Sequence, residues 1–201
     1  MSRLWQGVFC LVSISVPFRE LDAQSAQAVS IQISGLYNRV FGNVFQGLKD
    51  GVGGEAQIRY TPGALSVGAG FQYTDHGWKI REENVRLYGG FIEPRYRIHT
   101  GSNVVAPYLS ARFSLLKVGF SGDALSLSSS SPFIQLNGGG GLLYRLGPRF
   151  NLDLGATFGY NRLGSGTLTE RIGNDVENAP FLGSSGSNLV VRLGLAVGLG
   201  G

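Results

Sequence analysis

The sequence predicts an all-β fold, a single eight-stranded antiparallel up-and-down β-barrel. Eight stretches alternate between apolar side chains and small or polar ones, each about 10 to 14 residues long, near the length a tilted strand needs to cross a bilayer. Successive side chains of a strand point to opposite faces, so each stretch has one apolar and one polar face. The connections are alternately short and long. Together these observations predict a transmembrane barrel with an apolar outside and a polar inside.

Each of the first four predicted strands places its charged or amide side chains on one face. The opposite face carries aliphatic and aromatic residues, such as Ile31, Ile33 and Tyr37 in the first strand. The strands, with the side chains expected to point inward, are 30–41 (Gln32, Ser34, Asn38), 53–61 (Glu55, Gln57, Arg59), 64–74 (Ser66, Gln72, Thr74) and 85–98 (Glu93, Arg95, Arg97).

The other four predicted strands follow the same rule, and the alternation is clearest in Phe150 to Tyr160. The fifth strand loses its parity at Leu115 and Leu116, where we expect a β-bulge. These strands and their inward residues are 104–118 (Ser110, Arg112, Ser114), 133–146 (Gln135, Asn137, Arg145), 150–160 (Asn151, Asp153, Thr157) and 188–199 (Asn188, Arg192, Gly194).

Loop lengths predict how the barrel is oriented. Three connections are short and rich in Pro, Gly or Asn (61–63, 99–103 and 147–149), as expected for tight turns. Transmembrane barrels have short periplasmic turns and longer extracellular loops. The long connections are therefore expected outside the cell, and the longest of them leaves room for a further hairpin and a ten-stranded barrel. The four long connections are 42–52, 75–84, 119–132 and 161–187.

Residues 1–28 are predicted to be a cleavable signal peptide, and residues 29–201 the barrel. Arg3 precedes a mostly apolar stretch at 4–18, and Ala26-Gln27-Ala28 fits an A-x-A cleavage site. Cleavage after Ala23 is the other option. A cytosolic tail is the alternative interpretation of this segment. The only cysteine, Cys10, lies within it.

The inward faces carry charges that are expected to form one buried polar network. The interior of an eight-stranded barrel is just filled by side chains, and a buried charge is costly unless it is paired. We therefore expect a plug that stabilises the barrel; an ion path and a proton or ligand site remain alternatives. The predicted network consists of Glu55, Arg59, Glu93, Arg95, Arg97, Arg112, Arg145, Asp153 and Arg192.

Composition argues against several other classes. The net charge is only +4, and the basic residues form no long run, so nucleic-acid binding is not expected. No apolar run after the signal is long enough for a transmembrane helix. The glycine run at 138–141 is not followed by a helix and so is not a phosphate-binding loop; it is expected to relieve crowding inside a strand. Two scattered histidines predict no metal site, and we expect no cofactor.

The chain resembles the small OmpA/OmpX-like outer-membrane β-barrel family of Gram-negative bacteria. The segment Phe91-Ile92-Glu93-Pro94-Arg95-Tyr96, followed by Pro107-Tyr108-Leu109, looks like segments that recur in such barrels. The last strand resembles the family's assembly signal, which would be Arg192, Gly194, Val197 and Leu199. The resemblance implies an integral outer-membrane protein that is recognised by the outer-membrane assembly machinery and is a monomer.

The leading functional hypothesis is a non-enzymatic barrel with a structural or surface-interaction role. An enzyme acting on lipid would need a histidine converging with a serine and an acid. Asp75 and His76 are instead expected at a solvated loop tip, and His99 in a short turn. A lipid-modifying enzyme, a narrow porin-like channel and a water-soluble lipocalin-like barrel are the alternatives. Expected partners are outer-membrane lipids; lipopolysaccharide contact with Lys49, Lys79, Arg81 and Arg171 competes with a mixed solvated rim.

Overall fold

The computed structural model describes residues 28–42, 45–79, 84–120, 125–129, 132–172 and 175–199. The predicted signal peptide, apart from Ala28, lies outside these residues. Within them, no helix is long and apolar enough to cross a membrane. The strands are β1 (Val29–Phe41), β2 (Leu48–Tyr60), β3 (Leu65–Trp78), β4 (Asn84–Arg97), β5 (Val105–Phe120), β6 (Leu125–Ser129), β7 (Phe133–Arg145), β8 (Phe150–Leu163), β9 (Gly166–Ile172), β10 (Asp175–Phe181) and β11 (Ser184–Leu199).

Eight of these strands close into an antiparallel barrel, which confirms the predicted fold class. The order around the barrel is β1-β11-β8-β7-β5-β4-β3-β2. The first and last strands close it, pairing from Val29 with Leu199 to Phe41 with Ser187. All other neighbours around the barrel follow one another along the chain once the short strands β6, β9 and β10 are set aside, as in an up-and-down barrel.

The two faces of the barrel wall have opposite chemistry. Outward side chains such as Ile33 and Leu193 are 66% and 56% exposed, whereas inward Gln32 and Glu93 are 1% and 0% exposed. A closed barrel leaves no unpaired strand edge, and this apolar exterior would be unfavourable in water. The outer surface therefore faces lipid. The lipocalin-like alternative, with its apolar face inside, does not describe this barrel.

The barrel strands extend further toward the long connections than the sequence predicts. Strand β2 begins at Leu48, β3 ends at Trp78, β8 ends at Leu163 and β11 begins at Ser184. Apart from Val52, outward residues in these extensions, such as Asp50, Asp75 and Arg162, are polar or charged, so the apolar alternation fades there while the backbone ladder continues. We call this the long-loop end of the barrel and the opposite rim the short-turn end.

A second, smaller sheet lies in the long connections. Strands β9 and β10 form a hairpin, and β9 also pairs with β6, giving the order β10-β9-β6. The extra hairpin considered for residues 161–187 therefore exists, but it joins this sheet and the barrel keeps eight strands.

The prediction of a bulge at Leu115 and Leu116 is wrong, because the β4–β5 register runs unbroken through both residues. Leu116 points inward and is 1% exposed. An inward leucine imitates a parity slip when every apolar side chain is expected to face outward. In fact, a buried apolar cluster, here called the apolar cap, fills the interior at the long-loop end. Its members are Phe45, Val85, Leu87, Leu116, Phe133 and Leu163.

Candidate functional site

Glu93 lies at the centre of the charged interior, and arginines from four strands surround its carboxylate. Arg59 and Arg192 contact it at 2.9 and 2.8 Å, and Nε of Arg112 donates to Oε2 at 2.6 Å. Arg95, two residues along the same strand, also donates to it. The group therefore ties β2, β4, β5 and β11 together across the barrel.

Asp153 and Glu55 extend this group with two further buried carboxylates. Asp153 lies 2.8 Å from Arg95 Nη1 and accepts a hydrogen bond from Gln32 Nε2 at 2.7 Å. Glu55 accepts from Arg112 Nη1 at 2.5 Å. All these side chains are buried. Four arginines share three carboxylates, so the interior charge is nearly balanced, as burial requires.

Tyr108 is a member of the group that the sequence analysis missed. Its hydroxyl donates to Asp153 Oδ1 at 2.6 Å and accepts from Arg192 Nη2 at 2.9 Å. The guanidinium carbon of Arg95 lies 4.4 Å from its ring centre. Gly155 leaves room for this ring, because a Cβ there would lie 2.5 Å from the tyrosine oxygen. Tyr108 shares parity with inward Ser110 and Arg112, and that signal could have identified it.

Two of the nine predicted network residues lie apart from the group. Arg97 donates to the carbonyl of Gly63, and Arg145 lies within 3.5 Å of the carbonyl of Gly147. Both backbone acceptors belong to turns at the short-turn end. The other seven predicted residues come together with Tyr108 and Gln32. We call these nine side chains the charged network: Gln32, Glu55, Arg59, Glu93, Arg95, Tyr108, Arg112, Asp153 and Arg192.

A layer of uncharged polar side chains lies between the charged network and the apolar cap. His76 belongs to it and is fully buried; its ring nitrogens lie 3.4 Å from Asn38 Nδ2 and 3.2 Å from the Lys49 carbonyl. The prediction of a solvated loop tip is therefore wrong for His76, because β3 continues to Trp78 and alternation turns this ring inward. Asp75 does face outward, 3.6 Å from Arg86.

The two histidines lie at opposite ends of the barrel. Asp75 and His76 project to opposite faces of β3, so they do not act as a pair. His99 is exposed in a turn at the short-turn end. In the described part of the chain, no group of three or more His, Cys, Asp or Glu side chains is arranged to hold a metal ion.

The four residues of the assembly-like pattern all lie on β11. Arg192 and Gly194 point inward, and Val197 and Leu199 lie on the lipid-facing side. Arg192 belongs to the charged network through its contact with Glu93, so its position has a structural reason whether or not the assembly machinery recognises it. Recognition of this strand by that machinery stays a prediction.

Comparison with known proteins gives structural relatives only. No protein-family profile matches the chain, and no curated protein matches its sequence. Neisserial surface protein A has a similar structure, with a TM-score of 0.63 and 21% identity, covering 86% of this chain and 97% of that chain. A major outer membrane protein from Thermus thermophilus has a TM-score of 0.58 and 18% identity, covering 85% of this chain and 99% of that chain.

Pseudomonas aeruginosa outer membrane protein OprG is a third structural relative. Its TM-score is 0.54 at 10% identity, and the match covers 89% of this chain and 98% of that chain. Similarity at these identities concerns the fold. Taken with the apolar exterior described above, it shows that the chain has the fold of the small outer-membrane β-barrels.

Proposed function

We propose that the protein is a non-enzymatic outer-membrane barrel with a structural or surface-interaction role, its long-loop end facing out of the cell. The observation that carries this proposal is the filled interior. From the charged network through the polar layer to the apolar cap, side chains from opposite walls meet across the barrel. A barrel whose interior is filled in this way can serve as a rigid scaffold.

The same contacts argue against a channel. An ion crossing the barrel would have to separate Glu93 from arginines on neighbouring and opposite strands, and each of these charges is buried. Breaking a buried pair leaves an uncompensated charge and is strongly unfavourable. The apolar cap would then form a second barrier, because Phe45 and Phe133 pack edge to face with ring centres 6.3 Å apart.

The positions of the histidines argue against a lipid-modifying enzyme. Acyl transfer or hydrolysis of this kind needs a nucleophile, a base and an orienting acid within hydrogen-bond reach. His76 is enclosed in the barrel wall, beside Asn38 and a backbone carbonyl, where a lipid ester does not reach it. His99 is at the opposite rim.

The surface-interaction role is supported by the small sheet that lies beyond the lipid-facing part of the barrel. The sheet β10-β9-β6 is built outside the barrel and adds surface at the long-loop end. Segments that connect the strands of a rigid scaffold are where binding functions concentrate. The barrel would then hold this surface at the membrane.

The test uses the full chain, folded in detergent and verified by its shift in gel mobility on boiling. Planar-bilayer recordings should show no steady conductance. Mass spectrometry of outer-membrane lipids incubated with the protein should show no acyl chain removed or transferred. Steady conductance steps, or lipid turnover that disappears in His76→Asn or His99→Asn, would overturn the proposal.

A further inference from the structure

We propose that one side of the barrel at its long-loop end binds a phosphorylated lipid of the surrounding leaflet. The site, here called the basic patch, spans the barrel wall from the end of β3 through the adjacent strands β2, β1 and β11 to β8. It consists of four cationic and three aromatic residues: Arg39, Lys49, Lys79, Arg162, Phe41, Phe158 and Tyr160. The inference rests on the proposed outer-membrane function and deepens it.

Three of the cations line a surface cleft of about 490 Å³ at the start of β2. Arg39, Lys49 and Lys79 are exposed there, and Asp50 is the one acidic residue among the described lining residues. Asp50 already accepts a hydrogen bond from Tyr37 at 2.5 Å and lies 3.8 Å from Arg39. The cleft therefore keeps an excess of positive charge that attracts an anionic group.

Arg162 lines a second cleft, of about 720 Å³, between the ends of β7, β8 and β11. Its described lining includes no acidic residue; Ser184 and Ser185 offer hydroxyls, while Ile134 and Tyr160 offer apolar surface. The arrangement suits an amphiphile that has an anionic, hydroxyl-bearing head and acyl chains.

Aromatic side chains connect the two clefts on the lipid-facing side. Phe41 and Phe158 contact each other with ring centres 6.3 Å apart, and in the register Phe41 and Tyr160 flank the same residue, Ser187. Exposed aromatic side chains are typical of the membrane–water interface of barrels. In the register Arg39 lies level with Phe158, and Arg162 lies beyond Tyr160 toward the long-loop end. The cations therefore lie at the depth of these rings and just beyond it, where lipid phosphates lie.

Charge placement separates this side from the opposite one. Strand β4 lies directly across the barrel from β11, and its outward Arg86 is 3.6 Å from Asp75. Exposed Lys117 lies on the neighbouring β5, so the described residues of that side carry two cations and one acid. The basic patch combines four cations with one acid. A headgroup with two phosphates matches this excess, and we commit to such a lipid as the occupant.

The experiment measures lipid binding to the full chain in detergent micelles by native mass spectrometry. The probes are diphosphorylated lipid A, the same lipid without its phosphates, and inorganic phosphate. The patch variant carries Arg39→Gln and Arg162→Gln. The matched control removes the same number of charges elsewhere, with Arg86→Gln and the short-turn Arg149→Gln. Gel mobility with and without boiling shows that each protein is folded.

We expect wild type and control to bind the diphosphorylated lipid equally, and the patch variant to bind it roughly ten- to thirty-fold more weakly, given the typical contribution of each interfacial cation. Arg162→Lys, which keeps the charge, should retain most of the affinity. Equal binding by patch variant and wild type would overturn the inference. So would equal binding of the phosphate-free lipid, or phosphate binding without lipid binding. If the folded, membrane-inserted wild type does not bind the diphosphorylated lipid, this inference fails but the proposed function stands.

Discussion

At the scale of single residues, Glu93 has the most consequential surroundings in the barrel. Its carboxylate contacts four arginines, and no neighbouring acid can take its place at the centre. Arg95 and Arg192 also contact Asp153, and Arg112 also contacts Glu55. Removing one carboxylate therefore leaves the remaining two to balance four cations.

We expect Glu93→Gln to lower the free energy of unfolding by about 3 to 5 kcal/mol, the usual cost of breaking a buried ion pair. The amide keeps the shape of the side chain but cannot neutralise the arginines. Urea unfolding of the protein folded into lipid vesicles measures the change. Asp75→Asn is the control, since its partly exposed pair with Arg86 on the outer face should contribute at most about 1 kcal/mol. Equal effects of the two substitutions would contradict the central role of Glu93.

At the scale of elements, the glycine run of β7 shows how close backbone packing shapes a strand. A Cβ at Gly139 would lie 2.7 Å from Thr157 Cα and still closer to the Ala156 carbonyl on β8. A Cβ at Gly138 would meet nothing within 4 Å in the described structure. The sequence predicts that the glycine run relieves crowding. In the structure, the close approach of β7 and β8 requires a glycine at 139 but not at 138.

We therefore expect Gly139→Ala to destabilise the barrel and Gly138→Ala to be tolerated. At Gly139 the methyl group can be accommodated only if β7 and β8 shift apart, because its neighbours are backbone atoms. The fraction of protein that keeps its heat-modifiable gel mobility after refolding measures the difference. A Gly138→Ala defect as large as that of Gly139→Ala would show that strand propensity, and not the close approach, is responsible.

The hairpin of β9 and β10 is a separate element attached to the barrel. Leu163 and Ser184 are already paired across β8 and β11 where it begins and ends. Deleting residues 165–182 would join Gly164 to Gly183, and Gly-Gly suits the two-residue turn of a hairpin.

We expect this deletion to leave the barrel folded. Its free energy of unfolding should change by less than about 1 kcal/mol, since loop-closure entropy varies slowly with length. Heat-modifiable mobility and vesicle unfolding test this. Val191→Pro is the contrasting variant, because β11 pairs on both sides and proline removes a ladder donor. A deletion that unfolds the barrel as Val191→Pro does would make the hairpin part of its core.

At the scale of the whole molecule, the unequal rims predict an orientation. Short turns at one end and strand extensions with a second sheet at the other are the asymmetry of outer-membrane barrels. Asn178 lies exposed on β10, and Asn103 lies exposed in the turn between β4 and β5. These two asparagines form a matched pair of positions at opposite ends.

On intact cells, a membrane-impermeant maleimide should label Asn178→Cys and leave Asn103→Cys unlabelled. The chain's one cysteine lies in the predicted signal segment, so background labelling should be low. After the outer membrane is permeabilised, both variants should react, which checks that Asn103→Cys is present and accessible. Labelling of Asn103→Cys alone on intact cells would reverse the proposed orientation.

Much of the fold was predictable because strand alternation is a local property. Each predicted strand corresponds to a barrel strand, and its parity matches the observed burial, as in β8, where Asn151 and Asp153 are buried and Leu152 and Leu154 are exposed. The prediction failed where context changes the meaning of a residue. Leu116 is apolar yet inward, and His76, which was expected in a solvated loop, is buried because β3 continues to Trp78.

Period and turn composition are local properties, so the sequence alone indicates which side chains face lipid and which rim carries the long connections. The tertiary structure settles the strand count, because it places the hairpin within residues 161–187 in a separate sheet. Only the tertiary structure decided which charges meet. Gln32 and Asp153 are 121 residues apart, and Glu93 and Arg192 are 99 apart. Barrel closure and strand register bring them within hydrogen-bond distance, while Arg97 and Arg145, equally charged and equally inward by parity, end near the short turns. Parity gives a side chain its face, and register gives it its neighbours.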